Sequence, residues 1–137
     1  IKKHIEIMQK ETTNEPPKKY VNLDYLAKRT KSNPILTMEM ISLYLEQTRP
    51  LIIKMKQGLH DKNWNSLHLA VHTMIPSFAI MGISTEFEDM AKKVQECASS
   101  QQQLDLTPDL VLQLENVCVQ SCKELEEEFN RIKNLNS

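Results

Sequence analysis

Ala70-Val71-His72-Thr73-Met74-Ile75-Pro76-Ser77-Phe78-Ala79-Ile80-Met81-Gly82 is the stretch whose reading decides the fold. With Leu67 just before it, apolar residues recur at Leu67, Val71, Met74, Phe78 and Met81, in steps of four, three, four and three. Side chains at that spacing line one face of an α-helix. His72 stands about 100° round from Val71 at the helical pitch, so its ring belongs at the edge of the buried stripe, within reach of water. One or two turns further on lie Ile75, Pro76 and Ala79, none of which can hydrogen-bond through its side chain. A histidine among small and apolar residues reads as a nucleophile set in a docking surface.

Working outward, the same period recurs on both sides. Asn33-Pro34 opens a helix, with the proline well placed in its first turn. Ile41, Leu45, Thr48, Ile52, Met55 and Leu59 then form its stripe, with a kink expected at Pro50 and a stop at Gly58. His60-Asp61-Lys62-Asn63 is the turn into the histidine helix, with Asp61 or Asn63 as its cap, Trp64 as an anchor and Gly82 as its stop. Ser84, Phe87, Met90 or Ala91, Val94 and Ala98 mark the following helix. After a connector over 101–106, Thr107 caps and Pro108 begins the last helix, whose stripe is Val111, Leu114, Cys118, Leu125, Phe129 and Ile132. A short helix near Leu23–Lys31, capped by Asn22, precedes these four. Long helices joined by short turns become antiparallel neighbours. The expected class is therefore all-α, an antiparallel up-and-down four-helix bundle with a short additional N-terminal helix. Residues 1–19 read as a linker or the end of an upstream element, with Ile1, Ile5 and Met8 on one face and Pro16-Pro17 disfavouring helix before them. The bundle takes 20–137, and the start at Ile1 suggests a piece of a longer protein.

Composition narrows the function. A chain of 137 residues with 40% hydrophobic content builds one core, and a net charge of −1 without a basic stripe argues against nucleic acid. Leu51-Ile52-Ile53, the longest apolar run, is far too short to span a bilayer. Cys97, Cys118 and Cys122 lie inside helical patterns and read as reduced, buried thiols of a cytoplasmic protein. The methionines mainly fill irregular gaps in the core, and Glu124, Glu126, Glu127 and Glu128 read as a solvated acidic face.

His72, Met74, Ser77 and Gly82, within a helical pattern over roughly residues 21–136, resemble the signature of histidine-containing phosphotransfer (HPt) domains. That signature has a histidine, an apolar residue two positions on, usually a lysine next, small residues, and a glycine ten positions after the histidine. Here Ile75 stands where lysine is usual and Pro76 where a small residue is usual. The resemblance implies a phosphorelay intermediate excised from a hybrid two-component sensor histidine kinase. It would accept a phosphoryl group on His72 from a receiver-domain aspartate and pass it to another. It implies response-regulator receivers as partners, docked on Ile75, Pro76, Ala79 and Gly82. It implies no cofactor in this domain, with Mg²⁺ on the receiver, and a monomer whose parent chain is cytoplasmic or membrane-anchored. No autonomous active site is expected.

With Ile75 unable to stabilise added negative charge, His68, one turn before His72, can supply a donor or a positive charge instead. Pro76 lacks an N–H, so the His72 carbonyl loses its helical partner and a bend is expected there. Two other readings stand beside the carrier. A helical module can dock a receiver or serve as an adaptor without phosphate chemistry. His68 and His72, four apart, can share a metal ion, but no carboxylate joins them at the spacing of zinc hydrolases or di-iron bundles, and no metal is expected.

Overall fold

Asn22, Asn33, Asn63 and Ser84 each turn a side-chain oxygen onto a backbone amide two or three residues ahead, and each begins a helix. Such caps satisfy donors that the first turn leaves without partners. The computed structural model describes residues 19–135. Within them α1 spans Leu23–Arg29, α2 Pro34–His60, α3 Trp64–Met81, α4 Thr85–Ser100 and α5 Thr107–Leu135. The expectations for residues 1–18, including the face of Ile1, Ile5 and Met8, lie outside the described residues.

α2 to α5 form the four-helix bundle. Each long helix packs on the two beside it, α3 against α2 and α4, and α5 against α2 and α4. The α3 stripe is its centre: Leu67, Val71, Met74, Phe78 and Met81 are all buried. Ile41, Thr48, Ile52 and Met55 meet them from α2, Val94 and Ala98 from α4, and Val111, Leu114, Cys118 and Leu125 from α5. Leu45, Leu59 and Phe129 are half-buried rather than buried, and Tyr44 and Val117 join the core unannounced by the spacing. Truncating one fully buried aromatic such as Phe78 costs about 3–5 kcal/mol, because the cavity left behind collapses only in part. Lys56–Glu115 at 2.9 Å and Arg49–Glu126 at 3.1 Å bridge α2 and α5 on the surface, fixing register more than adding stability.

Several local expectations are corrected. Gly58 does not stop α2, which runs on to His60. A Cβ there would lie 2.9 Å from the Leu67 amide nitrogen, so the glycine lets α2 and α3 approach. Asn63 caps α3, while Asp61 ends α2. Thr107 is not a cap: it is buried inside α5 and its hydroxyl donates back to the Gln103 carbonyl at 3.2 Å. Pro50 lies inside α2 and Pro76 inside α3, where the sequence placed them.

Glu124 is the largest correction. It is only 3% exposed, not part of a solvated face. Its carboxylate accepts the backbone amides of Tyr20 at 3.1 Å and Val21 at 2.9 Å, and the Gln120 amide at 3.2 Å. A buried carboxylate is tolerated when it gathers donors in this way. The entering segment is thereby strapped across the end of the bundle, where Val21 bridges Ile83 and Tyr20 meets Phe87 edge-on at 4.8 Å. Among the described residues no helix is long and apolar enough to cross a membrane.

Candidate functional site

The core stripe of α3 turns the opposite side of the helix to solvent, and His72 lies on that side, exposed. Pro76 and Ala79 are exposed beside it, as expected. Leu69, 53% exposed, and Ile80, 40% exposed, extend the same apolar strip and escaped the motif. Ile75 is half-buried and packs against the core, so only part of it faces outward. Gly82 sits at the far end with φ of +77° as the α3 C-cap, its carbonyl accepting the Asn22 amide at 2.8 Å. Its placement gives it a structural job at the strap.

α4 supplies what the motif did not mention. The Gln95 side-chain amide lies 2.9 Å from His72 Nδ1. One turn away in the same register, the Ser99 hydroxyl lies 2.7 Å from His68 Nδ1, and the Gln95 carbonyl is 3.5 Å from that nitrogen. The His68 and His72 rings are nearly parallel, 10° apart in plane with centroids 5.8 Å apart. Both imidazoles are therefore held through Nδ1 by α4, and neither Nε2 has a hydrogen-bond partner among the described residues.

This arrangement has chemical content. An imidazole attacks through a nitrogen with a free lone pair, which requires the proton on the other nitrogen. The Gln95 carboxamide can donate through Nε2 or, turned by 180°, accept an N–H through Oε1. In the second orientation His72 keeps its proton on Nδ1 and presents the Nε2 lone pair to solvent. For His68 the Gln95 carbonyl can only accept, so its neutral ring satisfies both neighbours with the proton on Nδ1.

The thiols do no comparable work. Burial, followed by the nearby Cys122 and Glu115, pushes Cys118 up to about 12. Burial pushes Cys122 up to about 11 although Arg49 pulls the other way. Both are neutral at physiological pH and behave as small hydrophobes. The Cys118 thiol rests 3.5 Å from the Met74 sulfur.

No protein-family model and no curated protein matches the chain. Among solved structures the fold is similar to the HPT domain of an Hpt sensor hybrid histidine kinase from Shewanella. The TM-score is 0.68 at 15% identity, over 81% of this chain and 94% of that one. The bundle read from the sequence thus has the same fold as that domain, and its α3 presents His72.

Proposed function

We propose that this bundle is a phosphorelay carrier. His72 accepts a phosphoryl group from a receiver-domain aspartate and returns it to another. The observation that carries the reading is an exposed imidazole anchored through Nδ1 by Gln95, with Nε2 free, on a strip of Leu69, Pro76, Ala79 and Ile80. Phosphoryl transfer asks mainly for positioning and charge stabilisation, so a rigid helix with one well-held ring is enough on this side. The Nε2–P bond forms as the P–O bond of the acyl phosphate breaks, its electron pair leaving on the receiver carboxylate. In the carrier reading the receiver brings the Mg²⁺ and its own lysine. The apolar strip is the dock, small enough for the transient contact a relay needs. His68 is its supporting residue.

A second reading, receiver docking without chemistry, draws on the half-buried Ile75, which leaves no cation one turn after His72. The two separate in one assay. A phosphorylated receiver should transfer alkali-stable, acid-labile label to the wild-type chain and none to His72→Gln. Label that persists in His72→Gln removes the carrier assignment.

A further inference from the structure

We infer that phosphorylation of His72 is coupled to uptake of a proton by His68, which then clamps the phosphoryl group. The inference rests on the carrier reading and adds a pH-dependent element to the same site. Both rings are anchored through Nδ1 on α4 and lie parallel, with centroids 5.8 Å apart. With both Nδ1 atoms held by α4, both Nε2 atoms are turned away from it. In the inferred state a phosphoryl group on His72 Nε2 comes within reach of His68 Nε2.

Neutral His68 meets that group badly. With its proton on Nδ1, towards the Gln95 carbonyl and Ser99, its Nε2 carries a lone pair facing anionic oxygens. Protonation reverses the contact: the Nδ1 bonds stay, and a new Nε2–H donates to a phosphoryl oxygen in a charge-assisted bond. The proton comes from bulk water, and no bond of the transfer step changes. Parallel rings at this separation suit a bridging phosphoryl group better than one metal ion, which both nitrogens would have to reach at about 2.0–2.1 Å.

α4 brings Lys92, tied to Glu88 at 3.2 Å, and Glu96 within a turn of Gln95 and Ser99. α2 packs on the other flank of α3, where Lys54 and Asp61 line a groove with Leu69 and Thr73. α5 meets the core side of α3, where Cys118 rests against Met74. None of these groups is hydrogen-bonded to either imidazole. His68 thus supplies, conditionally, the cation that Ile75 cannot.

The test uses the full chain phosphorylated by phosphoramidate, so no receiver is needed. Phosphohistidine hydrolysis is followed from pH 6 to pH 9 in wild type, His68→Gln and His68→Ala, with circular dichroism as the fold check. The lifetime ratio of wild type to His68→Gln should be about tenfold at pH 6, one charge-assisted bond's worth, and fall towards one by pH 9. Nitrogen-15 spectra of the His68 ring should show it protonated at a higher pH in the phosphorylated chain than in the free one. A flat lifetime ratio, or an identical ring titration in both states, with His72 fully labelled, overturns the coupling and leaves the carrier standing. Failure to label His72 from phosphoramidate and from a phosphorylated receiver overturns both.

Discussion

Replacing Gly82 by alanine should destabilise the bundle by about 2–3 kcal/mol, and the structure supplies both parts of that figure. At φ of +77° the residue is left-handed, which costs an L-residue with a Cβ about 1 kcal/mol or slightly more. The new Cβ would also lie 2.8 Å from the Asn22 carbonyl oxygen and 3.1 Å from Tyr25 Cδ2. The tyrosine can swing aside, but the carbonyl is backbone and must take the strap with it. Moving the strap strains the bond from the Asn22 amide to the Gly82 carbonyl, now 2.8 Å, for about 1 kcal/mol more. In a chain of 137 residues the combined loss lowers Tm by about 6–12 °C. Urea and thermal unfolding followed by circular dichroism measure it. Gly82→Asn, which tolerates the left-handed region better, should recover only the conformational part. A loss below about 0.5 kcal/mol for Gly82→Ala would refute the close-packed strap. Phosphoramidate labelling of His72 in the folded variant should match wild type, because the glycine sits at the strap and not at the ring.

Three further outcomes follow from the same contacts. Glu124→Ala leaves the Tyr20 and Val21 amides without their buried acceptor and should cost about 3–5 kcal/mol in urea unfolding, with early proteolysis near residue 20. Gln95→Leu should slow phosphoryl acceptance by His72 about tenfold, the worth of one orienting hydrogen bond, while leaving Tm within a few degrees; an unchanged rate would remove Gln95 from the mechanism. Cys118 and Cys122 are raised from 9.0 to about 12 and about 11. Their contribution to stability is therefore complete below pH 9 and is lost as pH climbs towards 11–12, since the unfolded thiols ionise first. Native protein should resist thiol reagents at pH 8, and its unfolding free energy should fall above pH 9. Rapid labelling of the native thiols at pH 8 would contradict their burial.

What was legible in the sequence is what acts locally. The α3 stripe, the stop at Gly82, the cap at Asn22 and the helix start at Asn33-Pro34 are all decided within a few residues, and all appear in place. The exposure of His72 follows from the same helical geometry. What stayed hidden depends on how helices sit against one another. Gln95 and Ser99 look like ordinary polar residues of α4 until the α3–α4 register sets them on the two histidines. Glu124 sat in an acidic run, and its partners lie 103 and 104 residues away, beyond any periodic signal. Gly58 read as a stop because the sequence does not reveal the Leu67 backbone pressed against it. A cap at Thr107 was plausible by residue type, but its hydroxyl is spent on the turn before it.

The carrier assignment stands or falls on where phosphate goes. The chain should be incubated with a receiver domain phosphorylated on its aspartate, and the product digested and mapped. The expected result is one phosphorylated residue, His72, bearing the group on Nε2, stable in alkali and lost in acid, and absent from His72→Gln. Label on any other residue, or no label on a correctly folded chain from any phosphorylated receiver that binds it, would contradict the assignment and leave a docking module in its place.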